Sequence, residues 1–93
     1  MEQLDSSRAK RLILKVLESG TVRISSHARE ELQKDNVTVV RCYDALRVGW
    51  VEEPELEKGT CRYRVQTRTI CVVVAFRSEA SLVIVTAWRK EQR

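Results

Sequence analysis

The stretch TCRYRVQTRTICVVVAFRSEASLVIVTAW, residues 60–88, decides the fold. Alternation around Arg62, Tyr63 and Arg64 is followed by two runs, ICVVVAF (70–76) and SLVIVTAW (81–88), that are apolar and β-branched at nearly every position. Side chains of a strand alternate between faces, so the first part reads as a strand with one polar side. The apolar runs read as central strands covered on both faces or buried in a dimer. Strands are therefore expected at Thr60–Gln66, 69–77 and 82–88, with 78–81 as a turn. Upstream, 50–56 reads as one more strand, joined to the next through the Lys58-Gly59 turn, which makes a four-stranded meander. No glycine marks Thr67-Arg68, so a tight turn there and a longer strand remain equally open.

If the segment stays extended, Arg62, Arg64 and Arg68 line one face of the sheet. Alternate strand positions repeat every ~6.6 Å, roughly the spacing of phosphates along one nucleic-acid strand, and guanidinium forks suit phosphate oxygens. A second reading is a neutralised ladder. The acidic run EEPELE (52–57) would set Glu55 opposite Arg62 and Glu53 opposite Arg64 across a hairpin.

Before residue 50 the period changes. Ala9, Leu12, Ile13, Val16 and Leu17 recur at helical spacing after Asp5-Ser6-Ser7, which can cap, and before Gly20, which can stop a helix over 6–18. A short extended piece over 21–25 leads to Ser26, which can cap a helix from His27 to about Lys34, with Ala28 and Leu32 inward. Thr38 can cap a third helix in which Val39, Val40, Tyr43 and Leu46, with Arg47 as a further candidate, share a side, ending before Gly49. The expected class is α+β: N-terminal helices packed on one face of a four-stranded, mainly antiparallel sheet. A single domain over 1–93 is expected, helical at about 6–48 and sheet at about 50–89, because 93 residues suffice for one core.

Charge is uneven. Residues 1–59 carry 10 basic and 11 acidic side chains, whereas 60–93 carry 7 and 2, within a net charge of +4. The positive field belongs to the last third and favours an anionic partner such as RNA, DNA or an acidic protein. No apolar stretch approaches ~18 residues and the first residues are charged, so a cytoplasmic protein without membrane association is expected. Cys42, Cys61 and Cys71 are odd in number and lack CxxC spacing, which points to reduced thiols in the core rather than disulfides or zinc. No phosphate-binding loop, GxGxxG, GxSxG or HExxH pattern exists, so no cofactor or metal is implied.

His27, the only histidine, opens a helix after two serines. It is a candidate proton-transfer group or phosphate contact, against the alternative of a ring hydrogen-bonded to backbone or to Glu31 one turn on. Metal-free RNA cleavage needs a base, an acid and cations on the phosphate. His27 could transfer the proton while Arg64 and Arg62 stabilise charge. Arg68, Trp88, Arg89 and Lys90 are candidate nucleic-acid contacts, Trp88 as a stacking platform or else a core plug. Parity places Tyr63 opposite the two arginines, in the core. The same parity puts Leu82, Ile84, Thr86 and Trp88 on one face of the last strand.

VRISSHAREEL (22–32), the helix stopping at Gly49, the acidic hairpin, RYRV (62–65) and the closing VIVTAW (83–88) resemble a small bacterial domain family of unassigned function, itself similar to the RelE and BrnT toxins. The clearest marks are Ser25-x-His27-Ala28, Tyr63-x-Val65 and Val85-Thr86-x-Trp88. Glu31 departs from the pattern, which usually has arginine there. The resemblance implies a RelE-like fold and, by extension, an mRNA-cleaving toxin of mRNA-interferase type with a cognate antitoxin. A non-catalytic module that binds nucleic acid or an antitoxin through the same basic sheet, with a homodimer as a further option, is the alternative.

Overall fold

A computed structural model describes residues 3–90 of the chain, so both ends of the expected 1–93 span lie outside the described residues. Element order is α1 (Ser6–Ser19), β1 (Thr21–Ile24), α2 (Ser26–Lys34), α3 (Val39–Val48), β2 (Trp50–Val51), β3 (Glu55–Glu57), β4 (Thr60–Gln66), β5 (Ile70–Ser78) and β6 (Ser81–Arg89). The class is α+β, with three helices on a six-stranded mixed sheet among the described residues rather than a four-stranded one. Its order is β1-β6-β5-β4-β2, and β3 pairs with the first half of β4.

Two differences raise the strand count. The extended piece after α1 joins the sheet as β1, parallel to β6 with Thr21 beside Ser81 and Ile24 beside Ile84. The expected strand at 50–56 splits in two. Val51 faces Val65 and Glu55 faces Arg62, so the register slips by one residue between β2 and β3, where Pro54 interrupts the run. Lys58 and Gly59 close the β3–β4 hairpin with φ of 52° and 79°, the left-handed pair that a two-residue turn requires.

Local capping chemistry sets the helices. The side chains of Asp5, Ser25 and Thr38 accept hydrogen bonds from the backbone N–H groups of Arg8, Ala28 and Arg41, satisfying orphan donors at each first turn. The C-terminus of α3 is closed from α1: Lys10 Nζ donates to the carbonyls of Leu46, Arg47 and Gly49 at 3.0, 2.6 and 2.8 Å. A cation on those carbonyls also complements the helix dipole. The inward face of α3 differs from the expected one. Cys42, Ala45 and Leu46 are buried while Val40 is 69% exposed, because the last turn must lie against α1 and β5.

The core lies between the helices and one face of the sheet. Ala9, Ile13, Val16, Ala28, Leu32, Ala45 and Leu46 meet Tyr63, Val65, Val72, Val74, Leu82, Ile84 and Ala87 there. Tyr63 is on this side, as its parity implies. Its hydroxyl donates to the Leu4 carbonyl at 2.8 Å and accepts from the Leu4 N–H at 2.9 Å, which pins the segment before α1. Burial, followed by the side chain of Cys61, pushes its phenol up to about 12. All three cysteines are free, with Cys42 and Cys71 buried and Cys61 half-buried.

Candidate functional site

The second face of the sheet has no helix over it among the described residues. Its composition follows from alternation along β4 and β5, which turns Arg62, Arg64, Gln66, Cys71, Val73 and Ala75 away from the helices. On β6 alternation fails. Val73 pairs with Thr86 but Val74 pairs with Ile84, which leaves Val85 as an extra residue in a β-bulge. Leu82 and Ile84 therefore face the helices, whereas Thr86 and Trp88 cross to the open side. The bulge is held by Ser25, whose hydroxyl donates to the Val85 carbonyl at 2.8 Å and whose N–H donates to the Ile84 carbonyl at 3.0 Å.

One lateral row of the open face now reads Trp50, Gln66, Cys71, Trp88, each directly opposite the next on β2, β4, β5 and β6. Each indole carries a cation. Arg64 Cζ lies 6.0 Å from the Trp88 ring centroid and Lys90 Nζ lies 5.1 Å from that of Trp50. Between them the Cys71 thiol is fully buried, and burial pushes it up to about 11, partly opposed by the nearby Arg64 and Lys90 charges. Those two cations thus close over the centre of the row. Trp50, which reads in sequence only as the first residue of a strand, is 55% exposed and is the member that sequence reasoning missed. Only register could have found it.

Arg68 leaves the arginine row. Thr67 makes a tight turn instead, its hydroxyl accepting from the N–H groups of Thr69 and Ile70 at 3.2 and 3.1 Å while its N–H donates to the Ile70 carbonyl. Arg68 sits exposed in that turn. The turn is ringed by further cations: Arg41 donates to the Thr69 hydroxyl at 3.1 Å and Lys90 Nζ to the Thr67 carbonyl at 2.6 Å. Arg89 has a different task. Its guanidinium donates to the Asn36 carbonyl and its N–H to the Asp35 carboxylate, which ties the end of β6 to the end of α2.

Both arginines of the row have carboxylate partners. Arg64 Nε is 3.2 Å from Glu55 and Arg62 Nη1 is 3.3 Å from Glu57. Glu55 is opposite Arg62 as expected, but the ion pairs run diagonally, and Arg64 has Glu52 rather than Glu53 alongside, with the Glu52 N–H donating to its carbonyl. The Glu52 carboxylate accepts instead from Gln66 Nε2 at 2.9 Å.

His27 is exposed at the start of α2, and its ring has no hydrogen-bond partner among the described residues. The Glu31 side chain pairs with Lys34, not with the imidazole. α2 belongs to the helical layer and packs against β6, with Ala28 and Leu32 in the core on the face opposite to the one that carries Arg64. The structure thus gathers Arg64, Trp88 and Lys90, with Arg68 at the margin, and carries His27 on α2, in the layer packed on the other face of the sheet. Among the described residues no cluster of His, Cys, Asp and Glu could hold a metal ion. No described helix is long and apolar enough to cross a membrane.

No curated protein and no solved structure matches the chain significantly. The family model of DUF4258, a domain of unknown function, matches residues 24–89, from the end of β1 through the bulged β6 that builds the open face, and the chain belongs to that family.

Proposed function

We propose that the open face of the sheet binds single-stranded RNA, with Trp50 and Trp88 stacking on bases and Arg64, Arg68 and Lys90 contacting phosphates. The observation that carries this reading is the row Trp50-Gln66-Cys71-Trp88 with a cation over each indole. Stacking surfaces beside a positive groove suit single strands, whose bases are free to leave the helix, and not duplexes, whose bases are already stacked. The indoles stand about three strand spacings, ~14 Å, apart, a distance that spans about two nucleotides of an extended strand. The likeness to RelE and BrnT toxins noted in the sequence agrees with RNA as the partner, and an acidic antitoxin would compete for the same cations.

Binding of a fluorescein-labelled oligouridine measured by anisotropy tests the proposal. Three phosphate contacts give a slope of about −2 in log K against log salt. A flat salt response, or unchanged affinity in the Arg64→Ala and Lys90→Ala variants, would remove RNA from this face.

RNA cleavage on the same face is the second reading, and one observation favours it. The terminal nitrogens of Arg64 have no hydrogen-bond partner among the described residues and lie over Trp88, beside the position proposed for a stacked base. A guanidinium so placed can stabilise charge on a phosphate without a metal. Cleavage in EDTA by wild type, but not by Arg64→Ala, supports it; the His27→Ala variant reports whether the imidazole takes part in proton transfer. Intact RNA throughout, with binding retained, makes the protein a binding module.

A further inference from the structure

The carboxylates of β3 occupy the guanidiniums that a phosphate chain would need. β3 is three residues long, exposed at each of them, paired only with β4 among the described residues, and bounded by Pro54 on one side and the left-handed Lys58-Gly59 turn on the other. From this short strand Glu55 and Glu57 reach Arg64 and Arg62. Both contacts are long, at 3.2 and 3.3 Å, and each uses a single nitrogen, whereas well-formed charged hydrogen bonds measure about 2.7–2.9 Å and arginine forks pair two by two. The carboxylate side chains are 63% and 61% exposed. The Arg62 Nε atom is buried and has no partner among the described residues, so the pairing leaves that guanidinium incompletely satisfied.

We infer that the β3 hairpin arm is an acidic gate: Glu55 and Glu57 hold the Arg64 and Arg62 seats in the free protein and must yield them when a nucleic-acid phosphate enters. The inference rests on the RNA-binding reading of the open face. Loose exposed pairs suit such a role, since water and salt already weaken them and a phosphate with three acceptor oxygens competes on better terms. The alternative role for the same pairs is to hold the arginines ready for the ligand, and the two roles predict opposite signs.

Oligouridine affinity of the full chain is measured for wild type, Glu55→Gln, Glu57→Gln, the double variant, and Glu18→Gln on the outer side of α1 as a control for net charge. With a gate, each hairpin substitution tightens binding by a factor of about two to five, the strength of a surface ion pair, and the double variant by about tenfold. Glu18→Gln should give a smaller gain. The gain of the double variant should vanish when Arg62 and Arg64 are both changed to Gln, which shows that it acts through those seats. Weaker binding by the double variant, or a gain no larger than that of Glu18→Gln, would overturn the gate while leaving the RNA reading in place. Failure of both wild type and the double variant to bind would overturn the reading and the gate together. Binding by the double variant alone would support both.

Discussion

The two faces of the sheet solve the same problem by different means. On the helical side Val72, Val74, Leu82, Ile84 and Ala87 are completely buried under α1, α2 and α3. On the open side Cys71, Val73 and Ala75 are nearly as buried, at 0%, 6% and 5%, with no helix above them. Long side chains provide the cover, with Arg64 leaning toward Trp88 and Lys90 toward Trp50. Packing by helices is permanent, because removing one exposes a whole stripe. A cover of arginine, lysine and tryptophan can be moved aside, so apolar burial on that face is compatible with binding a ligand there.

The largest effect should come from the residue that separates the faces. Inserting one alanine after Val85 slips the strand by one residue beyond the bulge, which turns Thr86 and Trp88 into the helical core while Ala87 moves outside. We expect loss of the cooperative thermal transition and of near-ultraviolet circular dichroism; a native-like melt would show that the bulge does not set the face of Trp88. Next, Ile84→Ala on the helical side should cost about 2–5 kcal/mol, and Val83→Ala, one position away on the half-exposed side, about 1 kcal/mol or less, in urea denaturation. Equal costs would erase the distinction between the two covers.

Alkaline pH probes one acid on each face. Tyr63 beneath the helices is raised from 10.0 to about 12, and Cys71 beneath the cations from 9.0 to about 11. A weak acid whose folded value lies above its unfolded one contributes stability that is intact below the unfolded value and is lost as pH rises through the folded one. Stability should thus decline between pH 9 and 12, by about 2 kcal/mol for each group. The Cys71→Ala variant should flatten the decline from 9 to 11 and Tyr63→Phe the part above 10, as read from urea midpoints at stepped pH. Trp88→Ala and Trp50→Ala should each weaken oligouridine binding about tenfold. The smallest effect should be on the ion pairs, with Glu55→Gln shifting stability by less than about 1 kcal/mol, since both partners are well exposed.

Much of this architecture was legible in the chain. Asp5 and Thr38 announce helix starts through hydrogen bonds to N–H groups three residues on, and the Lys58-Gly59 turn announces a hairpin through its backbone freedom; both signals are local, whereas α2 is capped by Ser25 and not by the adjacent Ser26 that the sequence offers equally well. The inward position of Tyr63 follows from parity within a single strand. The site was less legible. In the sequence Arg68 reads as a member of the arginine row because nothing in its composition distinguishes a threonine that caps a turn from one that continues a strand. In the sequence Trp88 groups with Leu82 and Ile84 because a bulge has no residue signature: Val85 is as β-branched as its neighbours, and the hydrogen bond that holds its carbonyl in the bulge comes from Ser25, sixty positions earlier.

What the sequence determined by itself is the short-range part: the capped helices, the β3–β4 hairpin, the apolar central strands and the excess of positive charge in the last third. Each depends on interactions within a few residues or on composition alone. Tertiary structure decided the parallel docking of β1, the bulge on β6 and therefore the row of two tryptophans with their cations, and it placed α2, with His27, in the helical layer. Those features depend on register between strands distant in the chain, and register is set by how one whole face fits its partner layer, a property that no local stretch of residues carries.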